Sequence, residues 1–266
     1  MNLFGLLSAI EKAEPEAGDR LAFSRRKLLK TTSVAAAAAV PTFFASVANK
    51  AFADSATVTE ILNFALTLEY LERDFYRAAQ FAPNLIAPRD RPYVVQITKH
   101  EAQHVDLLKT VLGSKAVKQP MFDFTAGGAF PTVFSSYATF LTVAQALEDT
   151  GVRAYKGQAP RLINDDDVLT VALQIHSVEA RHAAAVRRMR GLRVWPSDSG
   201  NGGAPTAVYA AEDVVQQAGV ELKAVSAGKL YQKDNSLADR LLAESFDEPL
   251  TKEQVLAIAG PFIKAM

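Results

Sequence analysis

Two segments of the sequence repeat one order of polar residues. Glu69 is followed seven residues on by Tyr76, and later by Glu101-Ala102-Gln103-His104; Glu148 is followed seven residues on by Tyr155, and later by Glu179-Ala180-Arg181-His182. Glu69 and Glu101 are 32 residues apart, and Glu148 and Glu179 are 31 apart. Seven residues make nearly two helical turns, and three residues turn about 300°, so each Glu shares a face with its Tyr or its His if these segments are helices. The order reads as a duplicated helical hairpin and points to an all-α chain.

The apolar periodicity agrees. Thr57-x-x-Glu60 has the form of a capping box, and Ile61, Leu62, Ala65, Leu68, Leu71 and Phe75 follow at helical spacing, which predicts a first helix from Thr57 to about Phe81, before Pro83. A second is expected over about Arg89 to Leu112, stopped by Gly113, and a third from about Thr132 to Gly157. A fourth is expected to open at Asn164 with Asp165, Asp166 and Asp167 at its positive end, and to close at Gly191 after Arg187, Arg188 and Arg190. Short connections make the members of each pair antiparallel. Residues 114–130, with Pro120, Gly127 and Gly128, are long enough to cross the bundle from end to end. The four mid-helix glutamates then lie at one level.

Composition narrows the chemistry. The 266 residues are 49% hydrophobic, carry zero formal net charge and contain no cysteine. That argues against nucleic acid as the partner and removes disulfides, cysteine zinc sites, iron–sulfur clusters and thiol catalysis. A metal would have to be held by carboxylates and by the four histidines, His100, His104, His176 and His182. Four carboxylates buried together in a bundle cost several kcal/mol each unless compensated, and two divalent cations would compensate them. The candidate ligands are Glu69, Glu101, His104, Glu148, Glu179 and His182. Around them, Tyr76, Tyr155, Glu72, His176 and His100 are candidates for contact with those groups, and Glu72 is an alternative to Glu69. Arg153 and Arg181 either pair with a ligand carboxylate or face solvent.

The order Glu, Glu-x-x-His, Glu, Glu-x-x-His resembles the ferritin-like di-metal carboxylate proteins, a set that includes rubrerythrins, ferritins and manganese catalases. It is similar in particular to the exported ferritin-like domain proteins, including those called desiccation-related. The resemblance covers about residues 56–192. It implies a ferritin-like four-helix bundle of two antiparallel hairpins with one long crossover, and two metal ions, iron or manganese. His104 and His182 would cap one ion each, with Glu101 and Glu179, or else Glu69 and Glu148, bridging. It further implies a di-metal oxidoreductase acting on Fe(II), oxygen or peroxide in stress protection. A metal-stabilised structural or desiccation-protection protein and an iron store are the alternatives.

Residues 1–53 read as an address. Arg25-Arg26 precede an Ala-rich apolar stretch of about 18 residues, closed by Ala51-Phe52-Ala53. The pattern resembles a twin-arginine export signal, cleaved after about Ala53, and implies a periplasmic or otherwise exported chain without a stable membrane anchor. The ferritin-like bundle would occupy 54–192. Residues 193–266 form a linker and a helical extension: Ser197 to Pro205 is rich in Gly, Ser and Pro, two or three short helices follow, and Thr251-Lys252-Glu253-Gln254 caps the last. Ser245 to Thr251 reads as a fixed turn. This extension is expected to pack on the bundle or on a second copy in a homo-oligomer.

Overall fold

The structure is a computed structural model that describes residues 56–196, 201–222 and 235–264. The export signal expected over residues 1–53 and the linker residues 197–200 lie outside the described residues.

Four long helices form the bundle: α1 (Ala56–Phe81), α2 (Arg91–Leu112), α3 (Tyr137–Gln158) and α4 (Asp166–Met189). α1 packs chiefly on α2 and α3 chiefly on α4, while α1 also meets α3 and α2 meets α4. This is the all-α, two-hairpin bundle that the periodicity predicts. The helix starts shift from expectation by one to five residues. α1 already includes Ala56 and Thr57, so Thr57 is not its cap. α3 begins at Tyr137 rather than Thr132, because the Ser136 hydroxyl accepts from Thr139 N, while the Thr132 carbonyl is used in a turn by the Ser135 and Ser136 amides. At α4 the cap is Asp165, which accepts from Val168 N.

The crossover between α2 and α3 is pinned at both faces. Phe124 and Phe134 pack on Phe75 of α1, whose ring also stacks on Phe140 of α3 at 5.2 Å. On the other side the C-terminal residues run antiparallel to it, with Asp123 N donating to Phe262 O and Lys264 N to Met121 O. Fully burying one such aromatic or aliphatic side chain contributes about 1.5–3 kcal/mol.

The described part of the extension contains two of the short helices expected there, together with a strand pair that was not expected. A 3-10 turn at Thr206–Tyr209 leads to a two-residue antiparallel pair, β1 (Gln216–Gln217) and β2 (Val220–Glu221). Ala218 and Gly219, both at positive φ, make the tight turn between them. Then come α5 (Asn235–Ala243) and α6 (Lys252–Ala259), the latter with the full capping box of Thr251 and Gln254.

The extension packs on α3. Arg153, 1% exposed, donates to the carbonyls of Glu248, Val208 and Ala210 and pairs with Glu212 at 3.0 Å. It neither meets a candidate ligand nor faces solvent; Arg181 is exposed. Gly157 lies so close to Leu250 that an added Cβ would sit 2.0 Å from the Leu250 carbonyl oxygen. The turn at Ser245–Thr251 thus has a job: it presents Glu248 and Leu250 to α3. Among the described residues no helix is long and apolar enough to cross a membrane.

Candidate metal centre

Mid-length on the four helices the structure brings six side chains together. Glu69 comes from α1, Glu101 and His104 from α2, Glu148 from α3, and Glu179 and His182 from α4. All six are buried, the four glutamates completely. They form two overlapping groups, Glu69, Glu101, His104 and Glu179 in one, and Glu101, Glu148, Glu179 and His182 in the other. Within each group one nitrogen or oxygen per residue lies within 4.8 Å of all the others. Glu101 and Glu179 belong to both groups, so the geometry favours these two as the shared pair.

The tyrosines are exchanged between the repeats. Tyr76 of α1 donates to Glu148 Oε1 of α3 at 2.5 Å, and Tyr155 of α3 donates to Glu69 Oε1 of α1 at 2.5 Å. Burial, and then Glu148 or Glu69, holds each phenol well above its ordinary pKa, so both remain donors. One oxygen of each carboxylate is thereby fixed outward, and the other is left facing the centre.

Those inward atoms are short of partners. Glu101 Oε1, Glu148 Oε2, both oxygens of Glu179 and His182 Nδ1 are buried and lack any hydrogen-bond partner. His182 Nδ1 lies 2.7 Å from Glu101 Oε1 and 3.3 Å from Glu148 Oε2, yet without hydrogen-bond alignment. Buried polar atoms are nearly always satisfied, and an isolated orphan costs about 1–3 kcal/mol. Five at one place, all carboxylate oxygen or imidazole nitrogen, fit a site for hard or borderline metal ions.

The titration of the metal-free centre tells the same story. Burial raises the Glu101 carboxyl to about 7, against the pull of His104 and His182. Burial, then Glu101 and Glu69, puts Glu179 well above its ordinary value. Burial opposes the charge on both imidazoles, but Glu69 and its neighbours hold His104 far up, and Glu148 and Glu101 hold His182 at about 11. Burial also works against Glu69, where His104 prevails and the pKa falls below the usual carboxylate value. Imidazolium protons and protonated carboxyls stand where divalent charge would otherwise stand.

A family model for the ferritin-like domain matches residues 57–192, just over half of the 266-residue chain. The chain belongs to the ferritin-like domain family. A comparison with curated proteins finds no match. The ferritin-like match spans all four long helices and all six clustered side chains.

The neighbours of this ferritin-like centre sort as follows. Glu72 is buried beside Glu179 but belongs to neither group; burial, then Glu179 and Glu148, raises its carboxyl well above the ordinary range. His176 turns away, its Nδ1 bonded to Val152 O at 2.9 Å. His100 Nδ1 meets His182 Nε2 at 2.9 Å. Sequence reasoning missed Gly151, whose added Cβ would lie 3.1 Å from Glu179 Oε2 and 3.2 Å from Glu72 Oε1. The signal was present: a helix-weakening glycine three residues after Glu148, hence on its face, marks a close approach. It also missed the buried Arg187–Asp149 pair at 2.5 Å, to which Tyr209 adds a 2.6 Å bond.

Proposed function

We propose that this ferritin-like protein binds two metal ions, iron or manganese, and acts as an oxidoreductase on Fe(II), oxygen or peroxide. Glu69, Glu101, His104 and Glu179 would hold one ion and Glu101, Glu148, Glu179 and His182 the other, with Glu101 and Glu179 available to both. The observation that carries this is the cluster of five orphaned, buried ligand atoms within two groups that share two carboxylates. Four carboxylate charges match those of two divalent ions. A bound pair of redox-active ions supplies electron exchange with oxygen or peroxide and spreads the charge change over two centres.

The chain's own residues do the rest. Tyr76 and Tyr155 orient Glu148 and Glu69 by holding their outer oxygens. Phe75 and Phe140, both fully buried, pack edge-on against Tyr76 and hold its ring in place. Before ions bind, burial and then the charges of Glu179 and Glu148 favour the protonated form of Glu72. Export of a folded, metal-loaded protein belongs to the same proposal, supported by Arg25-Arg26, the apolar stretch and Ala51-Phe52-Ala53.

The test is metal analysis of the exported protein, with its N-terminus determined. Two irons or manganeses per chain, fewer than half retained in Glu179→Gln, turnover of Fe(II) or peroxide, and an N-terminus near Asp54 are expected. Folded protein without metal would overturn the centre; metal without turnover would leave it a structural one.

Gly151→Ala gives a finer check. The new methyl group crowds Glu179 and Glu72, so metal affinity is expected to fall about tenfold. Helix propensity gains up to about 1 kcal/mol, so the metal-free melting temperature should not fall. Unchanged affinity in calorimetric titration would show that the carboxylates yield freely.

A further inference from the structure

The two halves of the centre are copies in sequence order, but they are not supported alike. His182 Nε2 is linked to His100 Nδ1 at 2.9 Å, and His100 Nε2 lies 2.7 Å from Gln96 Nε2, one end of an amide whose oxygen and nitrogen exchange places by a flip, at the exposed surface of α2. The two rings are tilted by only 12° with centroids 5.1 Å apart. That is the separation left when the link runs in the ring planes, as an N–H···N bond does. His104 has no counterpart: its Nδ1 faces Glu69 and Glu101 at 3.1 Å each, and its other nitrogen makes no hydrogen bond among the described residues. His176, the only other histidine, is engaged by Val152 O.

We propose that His100 is a positioning residue for His182 that makes the two metal positions unequal, with the position capped by His182 the tighter. The inference rests on the di-metal reading above. To offer its Nδ1 lone pair to an ion, His182 must carry its hydrogen on Nε2. That hydrogen needs an acceptor, and His100 Nδ1 is the atom it meets. His100 then carries its own hydrogen on Nε2, which Gln96 receives with its amide oxygen turned to the ring. One tautomer and one ring orientation are thus selected from α2, across the helix interface. Outer partners of this kind change metal affinity about 10–100-fold when removed. For His104, no described residue outside the centre selects the tautomer.

The experiment is anaerobic titration of the purified metal-free protein with Co(II), followed by calorimetry and by the visible spectrum of the bound ion. The unsubstituted protein is expected to bind two ions in two resolved steps. His100→Ala weakens the tighter step about 10–100-fold and leaves the other within about twofold. His100→Asn, which keeps a short acceptor, restores most of the loss. His176→Ala changes neither step, and His104→Ala removes the weaker one. Equal weakening of both steps in His100→Ala, no weakening, or no rescue by Asn would overturn the role of His100 while leaving the centre intact. Failure of the unsubstituted protein to bind Co(II) would overturn the di-metal reading itself. His100 is only half-buried, so its variants are expected to fold, which thermal melting checks.

Discussion

Arg153→Met is expected to destabilise the protein by about 3–5 kcal/mol, a fall in melting temperature of roughly 10 °C, without removing any candidate ligand. The guanidinium is almost wholly buried and serves four acceptors, the carbonyls of Val208, Ala210 and Glu248 and the Glu212 carboxylate. Methionine fills similar volume but leaves all four unserved. Glu212 is the costly one: burial, against the pull of Arg153, already lifts it to about 7. Without Arg153 it must ionise unpaired or take up a proton. The loss should therefore be larger at pH 8 than at pH 5. Adding Glu212→Gln should return part of it, because the orphaned charge is gone while the three carbonyls remain unserved. Chemical denaturation of the single and double variants at both pH values reads this out. Equal losses at pH 5 and 8, or no recovery in the double variant, would show that the pair is incidental to the docking of the extension.

That buried pair also marks where sequence reading stops. The four helices and the clustering of Glu69, Glu101, His104, Glu148, Glu179 and His182 were legible because both follow from local periodicity. Apolar residues every three or four positions define a stripe, and Glu-x-x-His places two side chains on that same stripe. The duplication then fixes which stripes face one another. Arg153 lies one residue past Val152 on the same helix, but its partners are 55 to 95 residues downstream, in a region without strong periodicity. Nothing local to Arg153 selects them. The same limit explains His100. Its spacing to His104 shows a shared face, but the nitrogen it meets belongs to His182, across the bundle and 82 residues away. Helix starts failed for a different reason. Between Pro131 and Tyr137 there are three hydroxyl residues able to cap, Thr132, Ser135 and Ser136. Ser136 prevails because the chain before it is tied into a turn over Val133, which packs in the core beneath the crossover. The β1–β2 pair is two residues a side, too short to leave a period-two pattern, and only Ala218-Gly219 hints at it.

Metal affinity should climb steeply with pH, and metal-free stability should move the other way. In the metal-free centre Glu101 titrates at about 7 rather than 4.5. An acid whose pKa is higher folded than unfolded stabilises the fold fully below its unfolded value, and that contribution is gone once the pH passes the folded value. For Glu101 the window is pH 4.5 to 7, and Glu179 and Glu72, also raised, contribute a decline of the same sign. His182 has the same sign over a higher window, fully stabilising below 6.5 and lost as pH rises through about 11. Glu69 has the opposite sign to these, its contribution present above 4.5 and lost as pH falls below that. Melting temperatures of metal-free protein are thus expected to fall between pH 5 and 8. Bound ions replace the protons that these groups hold, so each proton released raises apparent affinity about tenfold per pH unit. Glu101 by itself then accounts for about fiftyfold between pH 5 and 7, and the melting-temperature gain from saturating Mn(II) should widen in step. Parallel melting curves with and without Mn(II) across that range would mean that the ions bind elsewhere, because no site that includes Glu101 can be filled there without displacing its proton.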